Sequence, residues 1–405
     1  MKSKPEHFEV IVIGGGLSGL CAALQLGRAG VKTVLLNRAI ENTENRLGGF
    51  ARFSGAKFSL PPAGMGLLPV VGSHDRLIET VSAVLHLLKL DQRSAQHSGD
   101  VEANDPDQTT SAGISTRIYG SIVLSPSEIG NTIDDLSRRV AEVCTVLDAK
   151  CLRLVNTDGD WHVLYRAIGT SECNVLSSTA VFFAGGRSGS NLLIGAGCEQ
   201  TNGKGLDLGV RVEFPNRDHM KKLRALGPDA KILSEKCRTF CLNVPGKIHP
   251  YNFESLSIPG GVVADATHSA GNVGLLYRHP SKEKTLPDVL GKAKSVLTNN
   301  DLSYFVTGEF LGSSTQPICK IYGSEITAAL SSFGNRLEEL DLLNWKWPHY
   351  VHIPLLDWHW PTFSMPGTFR SSARKLYVLG DSSGHARGLL QAAASGYIAA
   401  QEYLA

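Results

Sequence analysis

A glycine-rich turn near the N-terminus constrains this chain more than any other stretch. Gly14, Gly16 and Gly19 have the spacing G-x-G-x-x-G and directly follow an apolar run at residues 10–13. Such a run is typical of a strand buried in a parallel sheet. The first glycine allows a tight turn, the second lets a pyrophosphate approach the backbone, and the third allows close helix–strand packing. The spacing therefore predicts a βαβ unit that binds a dinucleotide at a helix N-terminus.

The end of the second predicted strand, VKTVLLN, departs from the usual pattern. Dinucleotide folds commonly place a carboxylate there for the adenosine ribose, and this chain has Asn37 followed by Arg38. An amide still hydrogen-bonds a ribose hydroxyl, with one neutral bond replacing a charge-assisted one. Arg38 also suits a 2′-phosphate, so a tightly held NADP stays an alternative at this point.

Composition excludes several classes of protein. The chain has 40 basic and 38 acidic residues, which argues against a nucleic-acid-binding surface. Its eight cysteines form no C-x-x-C pair, so a disulfide scaffold, a zinc ribbon and a redox dithiol are disfavoured, and no metal site is predicted. No apolar run reaches the roughly 18 residues of a membrane span, and the N-terminus has no apolar signal region. These features predict a soluble, cytoplasmic protein without a membrane span.

The order of the elements predicts an α/β fold. After the βαβ unit, WHVLYRA and NVLSS indicate antiparallel strands, AVFFAGG indicates a return to the central sheet, and RKLYVLGDSSGHARGLLQAAASG is again strand, glycine turn and helix. We therefore expect a Rossmann-like domain, a parallel sheet plus a β-meander, with an inserted β-rich substrate domain. The expected segments are residues 1–205 and 371–405 for the dinucleotide domain and 206–370 for the substrate or cap domain.

Both chain ends resemble flavoproteins with the two-dinucleotide-binding-domain fold. The resemblance rests on the N-terminal turn, on LGGFARF at residues 47–53, on AGG at residues 184–186 and on the C-terminal GDSSGHARGLL. It implies FAD, with Asp381 accepting from a ribityl hydroxyl and the last helix pointing at the pyrimidine end of the flavin. The implied cofactor-binding residues are Gly14, Gly16, Leu17, Ser18, Gly19, Asn37, Arg38, Gly48, Gly49, Ala51, Ala184, Gly185, Gly186, Gly380, Asp381, His385, Arg387, Gly388 and Leu389.

The middle of the chain resembles a narrower family, the uncharacterised bacterial FAD-dependent (NAD/FAD-utilising) dehydrogenases. GLDLGVRVEFP, CRTFCLNVPGKI and GGVVADATHSAGNVGLLYR, within residues 206–280, are similar to that family's IGVR(I/V)E-P and FCMCPGG-VV strands. The resemblance fades between residues 300 and 372. It supports the cofactor and the domain plan, and it does not indicate a substrate.

Candidate catalytic residues are fewer. Trp358 and Trp360 flank His359, which predicts either an aromatic wall over the flavin with a histidine proton donor or an ordinary core strand. The family layout would also bring Arg187, His268, Tyr277 and Arg278 near the flavin. An arginine there could clamp a substrate carboxylate, or form a surface ion pair.

The expected function is an FAD-dependent oxidoreductase of the dehydrogenase or reductase type. It would move a hydride between flavin N5 and a small organic substrate. Because no second G-x-G-x-x-G occurs, electrons would come from the substrate, from transiently bound NAD(P)H or from a redox protein. A flavin-dependent monooxygenase or oxidase, and a non-catalytic FAD-binding redox sensor or complex subunit, are the alternatives.

Overall fold

The computed structural model describes residues 5–38, 47–96, 108–109, 113–297 and 303–405. In chain order its strands are β1 Glu6–Ile13, β2 Thr33–Asn37, β3 Lys57–Ser59, β4 Gln108–Thr109, β5 Ser115–Arg117, β6 Ser121–Val123, β7 Thr145–Thr157, β8 Asp160–Ala167, β9 Cys173–Phe183, β10 Gln200–Thr201, β11 Leu206–Phe214, β12 Lys231–Leu233, β13 Cys237–Asn243, β14 Gly246–Phe253, β15 Leu256–Val263, β16 Gly271–His279, β17 Ser303–Val306, β18 His349–Asp357, β19 Thr362–Phe363 and β20 Leu376–Val378. The α-helices are α1 Leu17–Arg28, α2 Leu68–Val71, α3 His74–Leu87, α4 Pro126–Val143, α5 Ser190–Gly195, α6 Lys221–Ala225, α7 Thr285–Val296, α8 Thr315–Tyr322, α9 Ser324–Glu339 and α10 Leu389–Leu404.

The first layer of the molecule is a parallel sheet extended by a meander. β1 pairs in parallel with β2 on one side and β9 on the other, and β7 and β20 pair in parallel at the two flanks. The long strands β7 and β9 then continue past the parallel region and pair antiparallel with β8. The predicted Rossmann-like sheet with a β-meander is therefore confirmed, and the carboxyl ends of β1, β9 and β20 lie side by side.

Helices α1, α3, α4 and α10 pack together on one face of this sheet. Helix α4 begins in a capping box, in which Ser125 and Glu128 satisfy each other's backbone N–H groups. Its buried side chains recur at helical spacing, so a stripe faces the core. The opposite face of the sheet packs against the meander and α5 around the buried Trp161.

The second layer is an antiparallel sheet with the strand order β17-β18-β11-β16-β13-β12-β5-β4. One of its faces packs on helices α7, α8 and α9 in a separate core. The other face carries the side chains that meet the parallel sheet's carboxyl ends, together with the hairpin of β14 and β15. This sheet lies in the part of the chain where a β-rich inserted domain was expected.

The expected domain plan and the observed pairing differ in two regions. Strand β19, expected in the substrate domain, pairs with β10, and its Phe363 packs in the core of the parallel sheet. Strand β11 begins at Leu206, where the substrate domain was expected to begin. However, β5 pairs with β12 and β4 pairs with β5, so residues 108–109 and 115–117 contribute strands to the substrate sheet.

Among the described residues, no helix is long and apolar enough to cross a membrane.

Candidate cofactor and substrate site

The glycine turn at the end of β1 contains one glycine that chain packing does not explain. A Cβ on Gly14 would lie 2.3 Å from the carbonyl oxygen of Ala184, and one on Gly19 would lie 1.9 Å from that of Gly14. Close backbone approach therefore requires both of these glycines. A Cβ on Gly16 would meet nothing within 4 Å. Gly16 also caps α1 without a side-chain hydrogen bond, so the first-turn N–H groups face open space suited to an anion.

The segment after β2 forms the next wall of this groove. Gly48 N donates to Gly15 O at 2.7 Å. A Cβ on Gly49 would lie 3.4 Å from Gly16 Cα, so the two backbones run together. Ala51 is buried behind them, while the Phe50 ring is 49% exposed. The segment therefore follows the path that the resemblance implies for the ribityl chain.

Asn37 holds the glycine turn. Its Oδ1 accepts a hydrogen bond from Gly15 N at 3.0 Å, and the residue is buried. Arg38, the next residue, is exposed. The side chain that replaces the usual carboxylate is thus aimed at the turn.

The turns that follow β9 and β20 lie beside the same groove. Ala184 N donates to Ile13 O at 2.7 Å, which places the AGG turn beside the first glycine turn. Gly186 has φ +59° with open space beside it, and its carbonyl accepts from Ser382 Oγ at 2.8 Å. Gly380 has φ +63°, and its N–H donates to Ser395 Oγ in α10 at 3.0 Å.

Four charged side chains form a ring where the two sheets meet, and we call it the interdomain ion ring. Arg187 Nε donates to Asp381 Oδ2 at 2.8 Å, and Arg387 Nη1 donates to the same oxygen at 3.0 Å. Arg387 Nη2 donates to Asp357 Oδ1 at 2.6 Å. Arg187 Nη1 closes the ring at 3.9 Å from that Asp357 oxygen. The ring joins three residues of the dinucleotide domain to the last residue of β18 in the substrate sheet.

The arginines keep the ring carboxylates ionised. Burial by itself raises the pKa of Asp357 and of Asp381. The guanidinium charges of Arg387 and Arg187 outweigh burial, so both pKa values lie below their usual range. Within the described part of the chain, both arginines contact Asp381 through Oδ2, which leaves Oδ1 available to a ribityl hydroxyl.

A second charge group extends the ring across the substrate sheet. Arg278 binds both oxygens of Asp207, with Nη2 to Oδ2 at 2.9 Å. Arg238 Nη2 donates to Asp207 Oδ2 at 2.5 Å and lies 3.6 Å from Asp357 Oδ2. The buried carboxylates Asp207 and Asp357 therefore share Arg238.

Aromatic side chains pack around the ring. The guanidinium carbons of Arg187 and Arg387 lie 4.6 and 5.0 Å from the centroid of Trp360. Trp360 Nε1 donates to Asp381 O at 3.0 Å, and Trp358 stacks on Trp360 at 5.3 Å. Arg187 Nη1 also donates to the hydroxyl of Tyr251 at 3.5 Å. Burial raises the pKa of that phenol, so it is protonated at neutral pH.

His359 is buried beside the ring without a hydrogen-bond partner on either ring nitrogen among the described residues. Its ring lies 3.9 Å from Phe253 and edge-on to Trp360 at 5.2 Å. Burial lowers its pKa to about 3, and the positive charge of Arg187 acts in the same direction. The imidazole is therefore neutral at physiological pH.

The structure separates the four residues expected to be catalytic. Only His359 lies against the ion ring, and Arg278 reaches it through Asp207. Tyr277 lies on the opposite face of the sheet, where its hydroxyl bonds Glu325 of α9 at 3.1 Å. His268 lies in the loop before β16, at the far end of that strand from Arg278. Tyr277 and His268 are therefore outside the candidate site.

The remaining expected cofactor residues line the groove or support it. His385 Nδ1 bonds Gly66 O at 2.9 Å, which ties the C-terminal turn to the loop before α2. Gly388 is exposed and caps α10 without a side-chain hydrogen bond, directly before Leu389. Leu17 and Ser18 are buried in the first turn of α1.

Sequence reasoning missed four residues of this site, namely Asp207, Arg238, Tyr251 and Phe50. Their positions depend on pairing between distant strands, which no local pattern reveals. Asp357 directly precedes the segment Trp358–Trp360, and its place at the end of an apolar run was the available signal.

These residues fit a bound dinucleotide. The open space before Gly16 and the uncapped start of α1 suit a pyrophosphate. At the other end of the groove, Asp381 Oδ1 and the uncapped start of α10 suit the ribityl chain and a flavin ring. Fold and groove together define a dinucleotide-binding α/β protein of the doubly wound class.

Residues 7–80 match a family described as FAD binding domain. The dinucleotide that this groove would hold is therefore FAD. No curated protein sequence matches the chain.

Comparison with solved structures finds matches of low sequence identity. A geranylgeranyl bacteriochlorophyll reductase-like protein from Thermoplasma acidophilum is 15% identical, with a TM-score of 0.46 over 98% of this chain and 78% of that one. A flavoprotein/dehydrogenase from Cytophaga hutchinsonii is 13% identical, with a TM-score of 0.47 over 98% and 79%. An anhydrotetracycline hydroxylase from Streptomyces rimosus is 11% identical, with a TM-score of 0.43 over 98% and 63%. Similarity at this level assigns no activity to the chain.

Proposed function

We propose that this flavoprotein transfers a hydride between flavin N5 and a small organic substrate bound where the two sheets meet. The observation that carries the proposal is the interdomain ion ring. It places ionised, partly exposed side chains at the carboxyl ends of β9 and β20, the edge of a doubly wound sheet where ligands bind. FAD, when bound, supplies the hydride acceptor or donor.

The protein's own groups bind and orient. First-turn N–H groups of α1 stabilise the negative charge of the phosphates. Asn37 fixes the turn that presents these groups. Arg187 and Arg387 hold the Asp381 carboxylate in one orientation, and the stacked Trp358 and Trp360 exclude water from that side of the ring.

Tyr251 is the proton donor that we propose. Its phenol is protonated at neutral pH and accepts a hydrogen bond from Arg187, which stabilises negative charge that develops on its oxygen. Neutral His359 keeps the neighbouring pocket free of an additional positive charge. Arg278 and Arg238 fix the buried carboxylates from the substrate side.

The test is a redox titration of the purified chain. We expect an FAD absorbance spectrum and release of FAD, identified by mass, on denaturation. Under anaerobic conditions NADH, NADPH or a photochemical donor should reduce the flavin and bleach the spectrum. An air pulse should restore the spectrum slowly, and an added organic acceptor should restore it faster. A colourless protein that does not take up added FAD would refute the proposal. Rapid reoxidation with peroxide release would place the chain among oxidases or monooxygenases instead.

A further inference from the structure

A group of cations beside the ion ring is larger than the carboxylates around it require. Six cationic side chains lie on or near the stacked tryptophans and their ion-pair partners, and four carboxylates lie among them. The cations are Arg187, Lys204, Arg238, Arg278, Lys282 and Arg387, and the carboxylates are Asp207, Glu283, Asp357 and Asp381. Six cations face four anions. A positive excess in a partly desolvated cleft attracts negatively charged ligands.

Two lysines supply this excess. Lys204 Nζ lies 5.2 Å from the ring centroid of Trp358, and no carboxylate within the described residues pairs with it. Lys282 Nζ donates to Trp360 O at 2.8 Å. Burial lowers the pKa of both lysines, and the charge of Arg278 lowers that of Lys204 further, whereas Glu283 raises that of Lys282. Both ammonium groups thus lack the anionic neighbour that would offset desolvation fully.

Backbone geometry places Lys282 beside the loop that carries Lys204. Gly203 and Gly205 have φ +61° and +85°, which folds the loop before β11 against the end of β16. A Cβ on Gly203 would lie 3.5 Å from Lys282 Nζ. Arg278 Nη1 donates to Lys204 O at 2.8 Å, so the arginine fixes the loop that carries Lys204. We call Lys204, Arg278 and Lys282 the cationic rim.

The cationic rim connects directly to the ion ring. Lys282 binds the carbonyl of Trp360, and the indole of that residue donates to Asp381 O. Arg278 shares Asp207 with Arg238, which reaches Asp357. Trp360 and Asp207 therefore link the rim to the ion ring.

We infer that the cationic rim binds an anionic group, a carboxylate or a phosphate, of the small organic substrate. The inference rests on the proposed function for the reaction, while the anion site itself stands on the rim's charges and geometry. Guanidinium and ammonium groups bind both oxyanions through charge-assisted hydrogen bonds.

The experiment is calorimetric titration of the FAD-loaded chain with succinate and with inorganic phosphate at constant ionic strength. The variant is the double substitution Lys204→Gln and Lys282→Gln, and the matched control is Lys294→Gln, an exposed lysine of α7. We expect one or both anions to bind, the double variant to bind about tenfold more weakly, and the control to match the wild type. Succinamide, the neutral analogue of succinate, should not bind.

The outcomes distinguish a carboxylate ligand from a phosphate ligand. They also distinguish failure of the anion site from failure of the proposed function. Binding of succinate alone indicates a carboxylate substrate, and binding of phosphate alone indicates a phosphate ester. Failure of both anions to bind, or equal binding by the wild type and the double variant, would overturn the anion site. Because calorimetry does not require turnover, anion binding without hydride transfer would refute the proposed function alone. If the double variant does not fold, the exposed single substitution Lys204→Gln carries the same comparison.

Discussion

At the scale of single residues, Asn37 shows how an amide occupies a position where dinucleotide folds usually have a carboxylate. The buried Gly15 N–H donates to Asn37 Oδ1, so this side chain is part of the turn that would cradle the phosphates. The exchange of a carboxylate for an amide therefore does not by itself indicate NADP. Its direct effect is structural, because a hydrogen-bond acceptor at this position stabilises the conformation of the glycine turn.

Two substitutions of Asn37 distinguish the loss of its hydrogen-bond acceptor from a change in its charge. Asn37→Asp retains an oxygen for Gly15 N–H and should bind FAD at least as tightly as the wild type. Asn37→Leu removes the acceptor and should lower the free energy of unfolding by about 1–3 kcal/mol, because a buried N–H loses its partner. Urea unfolding and FAD fluorescence quenching measure the two quantities. Equal stability of Asn37→Leu and the wild type would contradict the role of the hydrogen bond.

His359 should make the protein sensitive to acid. Its folded-state pKa of about 3 lies below the ordinary value of 6.5, so the unfolded chain binds more protons. Stability should therefore fall as the pH is lowered from 6.5 toward 3, by at most about 1.4 kcal/mol per pH unit from this group. His359→Phe, which keeps an aromatic ring against Phe253, should flatten that part of the curve. Parallel curves for the two proteins in this window would count against burial of a neutral histidine.

At the scale of elements, the crossing of α1 and α10 joins the two ends of the chain. A Cβ on Gly396 in α10 would lie 1.9 Å from Ser18 O in α1, so only glycine allows this approach. The crossing fixes the starts of both helices relative to the groove. Packing in this layer therefore supports cofactor binding without touching the cofactor.

A matched pair of helical glycines tests this crossing. Gly396→Ala should lower the free energy of unfolding by about 1–3 kcal/mol, because the added methyl group overpacks the interface. Gly130→Ala, in α4 where a Cβ would meet nothing within 4 Å, should raise it by about 0.5–1 kcal/mol through helix propensity. Thermal or urea unfolding gives both values. The same sign of change in both variants would show that close helix contact is not the cause.

Local signals were sufficient to predict the elements that hold the cofactor, and insufficient for the substrate side. The glycine turn, Asn37 and Asp381 are each marked by a short pattern next to a strand, so they could be identified from the sequence. The family layout that placed Tyr277 near the flavin gave no information about which sheet face meets the other domain. Arg238 and Tyr251 enter the site only because β13 pairs with β16 and β14 with β15, and such long-range pairings leave no local signature.

At the scale of the whole molecule, the two sheets are joined by charges in addition to apolar contacts. Asp357 is 1% exposed and is the substrate sheet's partner for Arg187 and Arg387 of the other domain. A buried carboxylate between arginines adds little net stability compared with apolar groups. Its removal would leave Arg187 and Arg387 paired with Asp381 alone. The ring therefore links the two sheets through charged side chains.

Asp357→Asn tests this joint, because the amide has nearly the same shape and no charge. We expect the free energy of unfolding to fall by about 1–3 kcal/mol, because the arginines lose a charge-assisted hydrogen bond to Asp357 and keep only Asp381. Arg387→Gln on the Asp357→Asn background should cost less than in the wild type, with a coupling energy of about 0.5–3 kcal/mol. Urea unfolding of the wild type, the two single variants and the double variant gives the coupling energy as a double-mutant cycle. The surface control is Lys222→Gln, at an exposed ion pair with Asp341. Additive effects of the two substitutions would show that the ring does not couple the domains, whereas coupling would show that the side chains that hold Asp381 also hold the substrate sheet in place.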